Sequence, residues 1–280
     1  MNAVRQANSE QAILWNGTSG RAWIETQGAL DRAFKPFEDL LVAEIATKSP
    51  HRVLDIGCGT GATTLAAARL LGPKARCIGV DVSASMIAVA QARGEREDAV
   101  AEFVCADAQI CSFEPASVDM IISRFGVMFF DNPVEAFANL RRAATDDAQL
   151  VFFAWRSPAE NPFMTAAESA AARWLPSVAA RADDAPGQFA FADCRRVESI
   201  LRDSGWNAID IQPVDVACSF SANDLERYFT QLGPLGRALH DVDERERIVE
   251  TVRAAFQPYV HADEIRFEAA CWQVDARSSR

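Results

Sequence analysis

Three glycines follow a short apolar segment of the chain. Val53 to Gly61 reads VLDIGCGTG, so that Gly57, Gly59 and Gly61 alternate with other residues. Glycine tolerates positive φ and lets the backbone approach a ligand closely. The residues from Ala62 onward favour a helix, whose first turn presents free amides and a positive dipole end to an anionic group. The loop therefore predicts a nucleotide-type binding site.

Acidic residues recur in or after the apolar segments around this loop. Asp55 lies inside the first segment, Asp81 ends the second, and Asp107 follows the third. A carboxylate at the end of a parallel strand can accept hydrogen bonds from ribose hydroxyls. In isolation, Asp81 could instead be a helix cap and Asp107 a turn residue. Their combination with the glycine loop indicates one binding site.

Two classes of protein use such a loop. Gly57-x-Gly59-x-x-Ala62 matches the dinucleotide fingerprint G-x-G-x-x-A, which leaves an NAD(P)-dependent oxidoreductase as one alternative. Asp55, two residues before the first glycine, and the third glycine at Gly61 give D-x-G-x-G-x-G instead. This pattern closely resembles motif I of class I S-adenosylmethionine (SAM)-dependent methyltransferases.

The resemblance covers roughly residues 10 to 160 and implies that SAM is the cofactor and S-adenosylhomocysteine (SAH) the product. It assigns the ribose hydroxyls to Asp81, the adenine amine to Asp107, and the faces of the adenine ring to Val82 and Met86. Asp55 would take the methionine amino group. The full set of implied cofactor-binding residues is Trp15, Trp23, Asp55, Gly57, Cys58, Gly59, Gly61, Asp81, Val82, Met86, Asp107, Ala108, Ser123, Arg124 and Phe125.

The first residues of the chain carry a second resemblance. Trp15-Asn16 and Gly20-Arg-Ala-Trp23 resemble the W-N-x-x-x-G-x-x-W segment of one group of small-molecule methyltransferases, where such helices fold over the cofactor. Aromatic faces accommodate a sulfonium cation well. The alternative is that both tryptophans are core residues. For Arg124, a surface ion pair is the alternative to a ligand contact.

Short apolar runs alternate with helix-forming segments through much of the chain. Five runs suit buried strands: 53–56, 77–80, 102–106, 118–122 and 150–154. Such alternation predicts a parallel sheet with helices on both faces. Two later strands, over 209–220 and 265–274, complete a Rossmann-like, doubly wound α/β fold with a mostly parallel seven-stranded sheet.

The pattern contains no linker, so we expect one methyltransferase domain over residues 1–280. Residues 1–48 form an N-terminal helical lid, residues 49–156 the SAM-binding core, and residues 157–280 an insertion of substrate-covering helices together with the last two strands. N-caps should begin helices at Ser83 or Ser85, at Asn132 and at Asp193.

Composition excludes several classes of function. Thirty-nine acidic residues against 28 basic ones give a net charge of −11, which repels nucleic acid. The longest clean apolar run has six residues, far below the roughly 18 to 20 that cross a bilayer. The N-terminus lacks a secretory signal pattern, so we expect a cytoplasmic protein.

The chain has seven cysteines without a C-x-x-C pair, which predicts reduced thiols. Its three histidines lie far apart in the sequence, so we expect no metal site.

One motif that the chain lacks limits the classes of acceptor to be expected. Ser123 to Gly126 follow the fourth strand in place of the [DN]-P-P-[FYW] sequence of enzymes that methylate nucleic-acid amino groups. A small-molecule acceptor is expected, in a pocket of the N-terminal helices, the 125–130 loop and the insertion around 161–164. Aromatic residues there favour an apolar or aromatic acceptor. The sequence identifies no catalytic base, and it leaves the oligomeric state open. A SAM-binding protein that does not transfer a methyl group is a further alternative.

Overall fold

The described residues contribute eight strands to one mixed sheet. The structure is a computed structural model that describes residues 9–179, 185–239 and 242–278. The strands are β1 Arg52–Ile56, β2 Arg76–Asp81, β3 Ala101–Cys105, β4 Val118–Arg124, β5 Ala144–Trp155, β6 Asn207–Ser221, β7 Val260–His261 and β8 Glu264–Arg277. Their order is β3-β2-β1-β4-β5-β8-β6, with β7 paired to β8.

Strands β1 to β5 are mutually parallel, and β8 runs antiparallel between β5 and β6. The sequence predicts seven of these strands. It misses β7, which has only two residues. It also starts β5 six residues late, because residues 144–149 include exposed polar positions that break the apolar run.

Thirteen helices surround this sheet in the described residues. They are α1 Ser9–Asn16, α2 Thr18–Glu25, α3 Gln27–Ala33, α4 Lys35–Lys48, α5 Ala62–Leu71, α6 Ala84–Arg96, α7 Pro133–Ala143, α8 Pro162–Ala171, α9 Pro176–Ala179, α10 Cys194–Asp203, α11 Leu225–Gln231, α12 Gly233–Ala238 and α13 Arg245–Ala255. Helix α4 packs against α5, and α7 packs against α10. The doubly wound α/β fold is confirmed.

The predicted N-caps are present. The Ser83 hydroxyl accepts from Met86 N, Asn132 Oδ1 accepts from Glu135 N, and Asp193 Oδ1 accepts from Arg195 N. These bonds satisfy amides that the first turn of a helix leaves without an intrahelical partner. All seven cysteines lie in the described ranges and carry free thiols. Among the described residues, no helix is both long and apolar enough to cross a membrane.

The ends of the two central strands approach each other very closely. The Ser123 hydroxyl, at the end of β4, donates to Ile56 O over 2.7 Å and accepts from Gly126 N over 3.1 Å. A Cβ on Gly126 would lie 2.5 Å from Ile56 O and 2.7 Å from Gly57 Cα. Both distances are shorter than a methyl carbon can approach a neighbouring backbone atom. Only glycine therefore allows the loops after β1 and β4 to pass each other.

We predict that Gly126→Ala destabilises the protein by roughly 3 kcal/mol, because the new methyl group must push the two loops apart. Urea unfolding measures the change. Gly28→Ala is the matched control: Gly28 is an exposed residue of α3, and an added Cβ there would meet nothing closer than 3.9 Å. The control should gain up to about 1 kcal/mol. Equal stability of the two variants would contradict the close approach.

Candidate functional site

The carboxyl ends of the parallel strands open into a cavity of about 940 Å³. This volume is at the upper end of the range for ligand sites. One part of its lining comes from the strand ends and the lid, and we call it the loop part. The other comes from α8, α11, α12 and residues 185–190, and we call it the helical part. The loop part holds most of the residues that the sequence singles out: Trp15, Trp23, Gly57, Gly59, Asp81, Val82, Met86, Asp107, Ala108, Arg124 and Phe125.

The three glycines of the loop all have positive φ, at +67°, +55° and +87° for Gly57, Gly59 and Gly61. Gly59 faces the cavity, where a Cβ would lie 3.7 Å from Trp23 Nε1 and 3.9 Å from Met86 Sδ. A side chain larger than a methyl group would extend into the space between them. The loop thus keeps backbone, rather than side chains, at this wall of the cavity.

Asp81 organises the loop from the end of β2. Its Oδ2 accepts from Gly59 N over 2.9 Å, and its Oδ1 accepts from Ser83 N over 2.8 Å. Burial raises the pKa of the Asp81 carboxyl above its usual range, and these backbone amides act against the rise. Each carboxylate oxygen has capacity for a further hydrogen bond. The side chain lines the cavity, so those positions face a ligand.

Asp107 follows β3 on the same side of the sheet. Its Oδ1 accepts from Gln109 N over 2.9 Å, which fixes the turn after the strand. Asp107 and Ala108 line the cavity together with Val82 and Met86. The turn-residue interpretation and the ligand-site interpretation of Asp107 are therefore compatible.

The N-terminal lid is bonded to the turn between β2 and α6. Asn16 Nδ2 donates to Val82 O over 2.9 Å, and Asn16 Oδ1 accepts from Ala84 N over 3.0 Å. The Ser83 hydroxyl donates to Trp15 O over 2.7 Å. Gly20 makes this packing possible, because a Cβ there would lie 1.9 Å from Trp15 O.

The two lid tryptophans line the cavity rather than lying wholly in the core. Trp15 meets Trp23 edge to face with ring centroids 6.0 Å apart. It meets Phe129 in the same way at 5.2 Å. These three rings form an aromatic wall between the lid and the loop after β4.

The end of β4 contributes a strained residue and a cation. Phe125 has φ +64°, and its ring stacks on Trp155 with centroids 4.6 Å apart. Arg124 lines the cavity, and among the described residues it does not form the surface ion pair considered above. Its Nη1 donates to Phe34 O at 3.4 Å, and its guanidinium lies 5.9 Å from the centroid of the Phe34 ring.

Four of the predicted site residues do not line the cavity: Asp55, Cys58, Gly61 and Ser123. A Cβ on Gly61 would meet Phe103 and Ala90 at 3.0 Å, and the Cys58 thiol is buried against Gly79. Ser123 bonds the two loops together, as described above. The side chains of Asp55, Cys58 and Ser123 support the loop from behind.

Asp55 is the most buried carboxyl of the loop. Its Oδ2 accepts from the Thr63 and Thr64 hydroxyls, which ties β1 to the first turn of α5. Its Oδ1 is buried and has no hydrogen-bond partner among the described residues. Burial raises the pKa of Asp55 to about 6, and the two threonine bonds act against the rise.

The helical part contains functional groups that the sequence did not reveal. Glu168, Tyr228, Gln231 and Arg237 line the cavity beside Phe163 and Met164. The first four lie in helices without a recognisable motif, so only the amphipathic pattern of the segments was visible. Phe163 and Met164 confirm the expected contribution of the insertion.

Asn161, by contrast, faces the sheet. Its Nδ2 donates to Ala270 O and its Oδ1 accepts from Ala270 N, both over 2.9 Å. Strand β5 ends at Trp155, which pairs with Cys271 of β8. The Asn161 carboxamide therefore bonds the backbone of the next residue of β8 and anchors the start of α8.

Comparisons with known proteins agree with this geometry. Residues 53–147 match the family described as a methyltransferase domain. Demethylmenaquinone methyltransferase of Renibacterium salmoninarum is 26% identical over 180 residues, covering 61% of this chain and 72% of that protein. A ubiquinone/menaquinone biosynthesis C-methyltransferase of Pseudomonas aeruginosa is 28% identical over 136 residues, covering 48% of this chain and 52% of that protein. The chain thus spans about half the length of the second relative.

A solved structure shares the fold. The YcgJ protein of Bacillus subtilis superposes with a TM-score of 0.55 at 18% identity, over 85% of this chain and 98% of that one. The family match identifies residues 53–147 as a methyltransferase domain, and the fold around it is Rossmann-like. Both findings agree with the class I, SAM-dependent type that motif I resembles, whose cofactor is SAM.

We predict that Asp55 makes stability depend on pH. The folded state binds a proton on Asp55 more readily than the unfolded state, because burial raises its pKa to about 6 from an ordinary 3.8. The resulting stability is present at low pH and is lost as pH rises through 6. Wild type should therefore lose about 1 kcal/mol relative to Asp55→Asn between pH 5 and pH 7.5.

Urea unfolding of both proteins at the two pH values measures this difference. Glu95→Gln, which removes an exposed carboxylate of α6, controls for the loss of one charge. A wild-type-minus-variant difference that stays constant, or that grows with pH, would show that Asp55 is not the responsible group.

Proposed function

We propose that this protein transfers the methyl group of SAM to an apolar or aromatic small-molecule acceptor. One observation carries the proposal: a single cavity joins the glycine loop and its two strand-end aspartates to a separate aromatic part. A cofactor in the loop part and an acceptor in the helical part would meet inside the same cavity.

The residues of the loop part fit the cofactor. Asp81 presents two buried oxygens that each hold one backbone amide, which leaves acceptor capacity for the two ribose hydroxyls. Asp107 would accept from the adenine amine, and Val82 and Met86 would hold the ring. The open space in front of Gly59 suits a ligand that lies against backbone.

SAM supplies an electrophilic methyl group when it is bound. The chain aligns the acceptor with that group and excludes water from the cavity. The lid helps to exclude water, because Trp15 and Asn16 are hydrogen-bonded to the turn that follows Asp81. The aromatic wall of Trp15, Trp23 and Phe129 suits a nearby sulfonium cation.

The lining of the helical part supports the choice of acceptor. Phe163 stacks on Phe267 with centroids 3.9 Å apart and meets Tyr228 at 5.5 Å. The names of the two relatives connect them with demethylmenaquinone and with ubiquinone and menaquinone biosynthesis. The net charge of −11 disfavours nucleic acid as acceptor.

We predict that SAM and SAH bind to the wild-type protein and that Asp81→Asn weakens both about 10- to 100-fold. The variant loses charge-assisted hydrogen bonds to the ribose. Isothermal titration calorimetry measures the affinities, and thermal unfolding checks that the variant is folded. Asp119→Asn is the matched control, because Asp119 accepts from His51 N and Arg52 N and does not line the cavity.

NADH is titrated in parallel. Binding of NADH without binding of SAH would return the loop to the dinucleotide class and refute the proposal. Unchanged SAH affinity in Asp81→Asn would refute the assigned role of the aspartate. Methyl transfer itself is tested by incubating the protein with methyl-labelled SAM and a panel of phenols and quinols.

We predict that Asn16→Ala releases SAH about tenfold faster, because it removes two hydrogen bonds between the lid and the turn after Asp81. The association rate should change less, because contacts made in the bound state act mainly on the dissociation rate. Surface plasmon resonance separates the two rates. Ile13→Ala changes an exposed side chain of α1 and should leave both rates unaltered. Equal release from Asn16→Ala and wild type would show that the lid does not retain the ligand.

A further inference from the structure

Arg124 brings a positive charge to the cavity lining and has no ion pair with any described residue. Its Nη1 donates to Phe34 O over 3.4 Å, which is longer than most hydrogen bonds, and within the described ranges this is the one hydrogen bond of its side chain. Burial lowers the pKa of Arg124 below its usual range, because its surroundings solvate the charge poorly. An anionic ligand would stabilise such a cation.

The carboxylates that act on Arg124 are engaged elsewhere. Asp31, Glu38 and Asp55 favour its charged form, but none of the three forms an ion pair with it. Asp31 pairs with Arg93 over 3.0 Å, and Glu38 lies 3.6 Å from a lysine of its own helix. Asp55 supports the glycine loop from behind and does not line the cavity. The direct partner of the guanidinium is therefore left to a ligand.

The free edge of the guanidinium has the geometry that carboxylates need. Nη1 is bonded to Phe34 O, whereas Nε and Nη2 have no hydrogen bond to the described part of the chain. Their N–H groups lie side by side on the planar group, so both oxygens of one carboxylate can accept from them. Phe34 holds the group in place, since its ring centroid lies 5.9 Å from the guanidinium carbon.

The strand order places Arg124 beyond the ribose site. Strands β1 and β4 pair Asp55 with Ile122, and Gly57 and Arg124 each follow two residues later. In the proposed function, the adenine lies at the end of β3 and the ribose at the end of β2. Because the sheet continues in the order β3-β2-β1-β4, the methionine part would run past the glycine loop toward β4. The distance from β2 to β4 is two strand spacings, or about 10 Å.

We propose that Arg124 binds a carboxylate through Nε and Nη2, and that this carboxylate belongs to the methionine part of SAM and SAH. The inference rests on the proposed function, which places the adenosine part at Asp81 and Asp107. The resemblance to motif I includes Arg124 in the cofactor site but assigns no group of the cofactor to it. An acceptor is the other source of a carboxylate, since Phe125 and Trp155 also line the cavity.

The test compares two ligands by calorimetry. SAH carries the carboxylate, whereas S-adenosyl-3-thiopropylamine keeps the sulfur and the amine but lacks it. We expect wild type to bind SAH about 10- to 100-fold more tightly than the analogue, as for a charge-assisted bidentate contact. Arg124→Met should reduce this preference to less than about threefold, because it removes the donors and the charge. The analogue should bind the variant at least as tightly as wild type, since a cation near its amine is removed.

A second variant and a control make the result specific. Arg124→Lys keeps the charge but loses the paired donors, so it should retain an intermediate preference for SAH. This variant alone decides the test where Arg124→Met does not fold, which thermal unfolding shows. Arg52→Met is the matched control, because Arg52 is an exposed residue at the other end of β1 and does not line the cavity. It should keep the full preference.

The acceptor is tested as the source with 2-naphthoate and its uncharged amide, which are titrated into the SAH-loaded protein. A preference for 2-naphthoate that Arg124→Met abolishes, with the preference for SAH unchanged, would overturn the assignment to the cofactor. An unchanged preference for SAH in both Arg124 variants, without any preference for 2-naphthoate, would overturn the site itself.

The affinity of wild type for SAH is measured before the comparison. Failure of both SAH and the analogue to bind refutes the proposed function. Equal binding of the two by wild type refutes only the role of Arg124, because the adenosine part is then still recognised.

Discussion

The architecture of the site depends on the close approach of Gly57 and Gly126. Their backbones touch where the loops after β1 and β4 pass, and the Ser123 hydroxyl bonds both sides of the contact. This contact brings the glycine loop next to Phe125, at the reversal point of the strand order. Open α/β sheets bind ligands at such a point. Without the contact between Gly57 and Gly126, the glycine loop and the end of β4 would not face the same cavity.

Two aspartates of the same loop region have different electrostatic roles. Asp81 is buried but lines the cavity, and its oxygens position Gly59 and Ser83 while they remain available to a ligand. Asp55 lies behind the loop, where it joins β1 to α5 through two threonines. Burial raises the pKa of both carboxyls. In the proposed function, Asp81 therefore serves recognition, whereas Asp55 holds the backbone of the glycine loop in its conformation.

The sequence predicts the loop part of the site much better than the helical part. Positive φ, strand ends and helix starts are properties of short segments, so Gly57, Gly59 and Asp81 could be identified from local patterns together with the resemblance to motif I. Whether a side chain faces the cavity or the core depends on packing, and this is why the sequence could not show that Asp55 and Ser123 lie outside the cavity lining. The acceptor-side residues come from helices that tertiary packing brings together, and no local pattern marks Glu168 or Gln231.

Asn161 marks the point in the chain between the residues of the loop part and those of the helical part. Its carboxamide bonds both backbone polar groups of Ala270, and Arg156 N also donates to Ala270 O over 3.0 Å, so that hydrogen bonding to β8 continues one residue past the end of β5. The helices that line the acceptor side begin from this anchor. All of the predicted cofactor-binding residues precede it in the chain. In the proposed function, a segment exchanged after Asn161 would alter the helical part of the cavity and leave those residues unchanged, which makes this point a natural boundary for building chimeric proteins.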